Sequence, residues 1–197
     1  MDTERLNSLK GSEPTKSIRE ASQALKDDVK RDLTLLWHQL PAWQQDNHYI
    51  VSGYRPASGS YLVSLRSLGY IHNETINIYT HLLGALLAAT MAVWLFSALG
   101  KRYYLADSDD MIVLICFFIG AVACLGMSAT YHLISNHSET VAVFGNKLDY
   151  LGIVALIWGS FVPCIYYGFR DNISLMKLYW TMVRNAAEHN WVQSIKG

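Results

Sequence analysis

No lysine or arginine interrupts the stretches Ile76 to Leu99, Met111 to Ile134 and Leu148 to Phe169. Each is a continuous apolar run at or above the roughly 20 residues that cross a bilayer's hydrocarbon, a length that a soluble core does not need. The opening MDTERLNSLKG has no apolar segment that could act as a cleaved secretory signal, so insertion is expected to rest on the runs themselves. Formal charge cancels, with 16 Lys and Arg against 16 Asp and Glu, and no basic surface argues for a nucleic-acid partner. There are 3 cysteines and no Cys-x-x-Cys pair. Cys116, Cys124 and Cys164 all fall inside the runs, where they read as small packing residues rather than disulfides or thiolate ligands. Proline is scarce too, and the single one inside a run, Pro163, predicts a kink near the far end of the third.

What remains is an all-α integral membrane protein with three complete transmembrane helices, over about 76–99, 111–134 and 148–169. Residues 1–70 form a polar leader, 71–169 the three-span region, and 170–197 a connection, an interrupted fourth apolar run (LYWTM, Leu178 to Met182) and a polar tail. In the leader, Ile18, Ala21, Leu25, Val29, Leu33, Leu36 and Leu40 recur at the helical period, which predicts one amphipathic helix ending before Pro41. With Trp37 and Trp43 near its end, that helix either lies at a membrane interface or packs on its own domain. Gly53 to Ser60 reads as a loop, and Tyr61 to Leu68 as a short helix. Asn73 is placed as the N-cap of the first span, with Glu74 in its first turn. Small residues at Gly84 to Ala89 and Gly120 to Gly126 predict close helix contacts.

Ionisable side chains at membrane depth are costly, so each is a functional candidate. Glu74, Asn77 and His81 share one face of the first span near its start; Ser128 and His132 share a face near the end of the second; Asp149 opens the third. In consecutive antiparallel spans these three ends lie at one leaflet, so the strongly polar groups gather there, and the opposite ends offer nothing comparable. Singly, each has a modest reading: Glu74 completes a cap, Asn77 and Ser128 bond to nearby backbone, and His132 or Asp149 sits at the wet boundary. Together they offer the imidazole, carboxylate and hydroxyl that a metal and its activated water need, although a catalytic zinc normally takes three protein ligands.

The segments NETINIYTH (Asn73 to His81), SATYH (Ser128 to His132) and KLDYLGI (Lys147 to Ile153), in that order, resemble the progestin and adipoQ receptor family, which includes the adiponectin receptors and the hemolysin III proteins. The preceding Leu36 to Ala57 is similar to its fungal members, and the resemblance runs from about Leu33 to Met182. It implies a seven-helix bundle with a cytosolic amino terminus, in the plasma membrane or an endomembrane, and a zinc ion near the cytosolic leaflet. By that resemblance His132 is a metal ligand, Asp149 orients the zinc-bound water, Ser128 lies beside it, and Glu74, Asn77 and His81 form a supporting cluster. The two other ligands belong to a His-x-x-x-His pair on a seventh span that this sequence lacks. His38, His48, His72, His137 and His189 fall outside the bilayer on this reading and form no such pair. The site is therefore incomplete here, the remaining helices are missing, and tight zinc binding within this chain is not expected.

Three functions are open. The first is a receptor-like protein whose complete form is a zinc-dependent hydrolase of a lipid amide, with a ceramide-like substrate. The second is a non-catalytic sensor that couples membrane lipid, metal or an extracellular ligand to cytosolic partners. The third is an ion or proton transporter, which fits less well because the polar groups gather at one leaflet. An inactive truncated fragment is the alternative for this polypeptide. Val183 and Arg184 can be encoded by a sequence that matches an intron donor, so a retained intron or a faulty gene model is a reasonable hypothesis for the abrupt change. A transcript read across codons 182–184 should then show splicing into further apolar sequence; continuous genomic sequence in every transcript would remove the idea. Flanking positive charge mildly favours an extracytosolic amino terminus. Against it stand the polar leader and the resemblance, which predict luminal glycosylation of a tag placed at Asp107 and none of a tag placed near Asn7.

Overall fold

The structure, a computed structural model, describes residues 19–20, 33–102 and 108–196. It divides into two compact units, Met1–Pro56 and Ala57–Gly197. In the first, Arg19 and Glu20 are helical, and the rest of the amphipathic repeat up to residue 32 lies outside the described residues. From β1 (Leu35–Leu36) the chain is extended, and it then forms a 3-10 turn over Trp37–Gln39. The helix expected to reach Leu40 is thus corrected. Pro41 bars its predecessor from helical geometry, and Leu40 stands at φ −79°, ψ 148°. β1 pairs antiparallel with β2 (Ser52–Tyr54), which takes up the start of the expected loop. The Gln45 amide donates to the carbonyls of Trp37 and Leu40 at 3.2 and 3.0 Å, closing the turn.

The second unit is helical. α1 (Tyr61–Arg66) and a following 3-10 turn, Ser67–Gly69, occupy the predicted short helix. Three helices follow that are long and apolar enough to cross a membrane: α2 (Thr75–Arg102), α3 (Ser108–Ile134) and α4 (Glu139–Gly168). α4 starts well before the apolar run at Leu148, with Ser138 extended before it and Glu139 in its first turn. Hydropathy marks only the part of a helix inside hydrocarbon, whereas backbone bonding continues into the interface. α5 (Ile173–Lys196) carries the interrupted apolar run and the polar tail in one helix. Large apolar side chains such as Leu83, Leu87, Val93, Trp94 and Ile119 are more than half exposed, a surface that only lipid or other apolar helices can face.

α3 and α4 make the closest contact, and glycines set it. A Cβ added at Gly159 would stand 2.5 Å from the Cys116 carbonyl oxygen, at Gly120 2.7 Å from that of Ala155, and at Gly152 2.9 Å from the Cys124 Cα. The small-residue face predicted at Gly120 is thus used, while Gly126 meets nothing within 4 Å and Gly84 meets only the Leu125 side chain. Gly145, Gly152 and Gly159 recur every seventh residue on α4 and supply the matching face. Backbones brought this near gain dispersion energy, which is what holds helices together in lipid. Pro163 lies within α4, whose helical backbone continues to Gly168.

A polar clip closes one end. The amides of Ser58 and Gly59 donate to the carbonyls of Asn136 and His137, both at 2.8 Å. The Ser64 hydroxyl donates to Asn136 Oδ1 at 2.8 Å, and Ser67 donates to the Ser64 carbonyl at 2.7 Å. Ser64, Ser67 and Asn136 are buried, so the apolar surroundings are tolerable only because each is bonded. This ties α1 and the loop before it to the α3–α4 turn.

Gly159→Val should lower stability by about 1–3 kcal/mol through overpacking against the Cys116 carbonyl, whereas Gly126→Ala should be neutral or mildly stabilising. Thermal unfolding in a fixed detergent checks both; equal effects would mean that the α3–α4 contact is not glycine-limited.

Candidate functional site

The polar residues of α2 and α3 are brought together at one end, as two rungs between antiparallel helices. The first rung starts in the turn that opens α2. The Thr75 amide donates to the His72 carbonyl at 3.0 Å, and the Glu74 amide donates to His72 Nδ1 at 3.2 Å. His72, buried, therefore does the capping that the sequence assigned to Asn73, and α2 begins at Thr75, after Glu74. The Asn73 and Asn77 side-chain amides instead donate to Glu74, to Oε1 at 3.0 Å and Oε2 at 2.9 Å. His132 Nδ1 reaches the same Oε2 at 2.7 Å. Both partners are less than one-fifth exposed, so water screens the contact little.

Two turns along α2, His81 Nδ1 meets Ser128 Oγ at 2.7 Å, which forms the second rung. Ser128 is buried, and the His81 and His132 rings stand edge to face with centroids 5.9 Å apart. Asn77 and Ser128 thus bond to side chains rather than only to local backbone. Interhelical hydrogen bonds in membranes are worth about 0.6 kcal/mol each on average. A bond to a charged group is roughly twice as strong as a neutral one, so the Glu74 rung outweighs the His81 rung.

Asp149 is half-buried on α4. The α3–α4 register sets its level: Gly145 lies against Tyr131 and Gly152 against Cys124. Asp149 falls between them on the same face, which puts it level with Ser128. No hydrogen bond joins it to either rung.

Sequence reasoning missed His72 and Asn136, both buried; their polar neighbours made them look like solvated loop. It also missed the far end. Asp110 is buried in the first turn of α3, and Arg170 Nη1 lies 3.7 Å from its Oδ1 and 5.5 Å from the Tyr166 ring centre. Both residues stand just outside the apolar runs, so this pair flanks the hydrocarbon rather than entering it as the Glu74 and His81 rungs do.

Among the described residues, no three His, Cys, Asp or Glu side chains stand where they could hold a metal ion. The site fits one ligand's share of a metal site. With Nδ1 taken by Glu74, Nε2 is the nitrogen a metal would take from His132, the carboxylate–imidazole arrangement common behind metal-bound histidines. The three cysteines are free thiols.

Residues 69–196 match the family described as Haemolysin-III related. The ADIPOR-like receptor IZH2 of Saccharomyces cerevisiae is 41% identical over 143 residues, 73% of this chain and 45% of that protein. The adiponectin receptor protein of Drosophila melanogaster is 39% identical over 147 residues, 75% of this chain and 32% of that protein. The human progestin and adipoQ receptor family member 3 is 36% identical over 148 residues, 75% of this chain and 45% of that protein. The matched part of the chain thus spans 32% to 45% of the length of these relatives. Its matched segment holds both rungs and Asp149, and it belongs to the Haemolysin-III related family of membrane proteins, alongside adiponectin-receptor-like and progestin and adipoQ receptors.

Proposed function

We propose that the complete form of this receptor-like membrane protein binds zinc at the α2–α3–α4 end and hydrolyses the amide of a ceramide-like lipid, with its amino terminus in the cytosol. The observation that carries the reading is the 2.7 Å contact of Glu74 with His132 Nδ1, with Ser128 one turn away on α3 and Asp149 at the Ser128 level. His132 would be one metal ligand, and the paired histidines that the resemblance gives to a seventh span would be the others. When bound, zinc supplies an acidified water and a polarised carbonyl. Ser128, held by His81, offers a hydroxyl to the amide carbonyl oxygen. Asp149 takes a proton from the attacking water and returns it to the departing amide nitrogen, a general acid–base role. Lipid enters from the side, because the exposed faces of α2 and α4 are apolar up to the site.

A second reading, a sensor without catalysis, is favoured by the clip. The Ser64–Asn136 and Ser58–Asn136 bonds connect the segment before α2 with the turn that follows His132. A change at His132 would be felt there directly.

A form carrying the paired histidines, in lipid nanodiscs, separates the readings. Catalysis predicts that Asp149→Asn keeps zinc and loses about 100-fold or more of ceramide hydrolysis, while His132→Ala loses both. A wild type that binds zinc without hydrolysing would leave only the sensor, and an Asp149→Asn variant at full rate would remove Asp149 from the reaction.

A further inference from the structure

Glu74 is held more firmly than capping a helix requires. Each carboxylate oxygen accepts from an asparagine amide, Asn73 on Oε1 and Asn77 on Oε2, and the backbone amide of Glu74 is itself fixed by His72. A carboxylate so braced cannot swing, and the one imidazole nitrogen it meets on α3 is His132 Nδ1, 2.7 Å from Oε2. An ionised carboxylate only accepts, so a neutral His132 must carry its proton on Nδ1 to make this bond. In water neutral histidine prefers the other tautomer. The pair therefore imposes on the ring a state that it would not choose alone.

We propose that Glu74 is a positioning residue that locks His132 in the Nδ1–H tautomer and turns Nε2 into the electron-pair donor, with Asn73 and Asn77 as its braces. This rests on the reading of His132 as a metal ligand only for its purpose; the tautomer itself is a property of the metal-free chain. His81 makes a second cross-helix bond two turns further along α2, where Ser128 is its partner, so the α2 motif acts as a template that orients the α3 motif.

The experiment is nitrogen and carbon NMR of histidine-labelled full chain in lipid bilayers without metal, read on the neutral-ring signals, in which one ring nitrogen carries a proton and the other does not. The His132 signals are identified by their loss in His132→Gln. Wild-type His132 should show Nδ1 protonated and Nε2 bare. Glu74→Ala should shift it toward the Nε2–H form, and Glu74→Gln, whose carbonyl oxygen can still accept, should restore most of the Nδ1–H share. Helical circular dichroism and unchanged His137 signals show that the variants are folded. An Nε2–H wild type, or an Nδ1–H ring that ignores Glu74→Ala, overturns the proposal. If His132 is Nδ1–H under Glu74's control but the form with paired histidines holds no zinc, the positioning stands and the metal reading of the site ends.

Discussion

Hydrocarbon supplies no hydrogen bonds, so a polar side chain that enters α2 or α3 has to bring its partner with it. That constraint explains why the polar residues form pairs across the helices. Glu74 meets His132 and His81 meets Ser128, each at 2.7 Å. Because the chain reverses direction between α2 and α3, a residue later on α2 must pair with one earlier on α3. Moving seven residues along α2, from 74 to 81, corresponds to moving four back along α3, from 132 to 128. The unequal steps are bridged by side-chain length: His81 needs only the short Ser128, whereas Glu74 and His132 reach toward each other from the wet end.

The second constraint is steric. A side chain at Gly120, Gly152 or Gly159 would enter the facing backbone, so α3 and α4 can approach as they do only with these glycines in register. A slip of one residue would put a side chain where a glycine is needed, and Asp149 would rotate off the face that holds Gly145 and Gly152. The level of Asp149 beside Ser128 is therefore a packing result. No bond of its own holds it there, which leaves the carboxylate available for a proton.

The spans were legible because lipid imposes a length and a polarity on every residue within it. The gathering of Glu74, His81, Ser128, His132 and Asp149 at one end of the helices followed from alternation of direction alone. What the sequence hid lies where those rules stop. Asn73 looked like a cap because its side chain is suited to one, yet His72 took the Glu74 amide and freed the asparagine for the carboxylate. α4 extends back to Glu139 because helical bonding does not end where hydropathy falls. The leader's helical period ran on through Leu36 and Leu40, but Pro41 and the pairing of Leu35 with Tyr54 overrode it. Asn136 gave no periodic signal at all, since its importance comes from Ser64, far away in the chain.

The two acids at opposite ends of α3 show why the Glu74 contact calls for a chemical account and the Asp110 contact does not. Asp110 sits in the first turn of its own helix, where the backbone dipole favours a negative charge, and its cation is half-exposed and 3.7 Å away. A loose pair of that kind is worth about 0–1 kcal/mol, and helix-end stability accounts for it. Glu74 also stands at a helix start, and it has two amide donors besides. Its charge is already satisfied without any histidine, so the short bond to His132 answers a need on the imidazole side. An imidazole at the edge of the hydrocarbon has two nitrogens of opposite character, and only a fixed acceptor on one of them decides what the other can do.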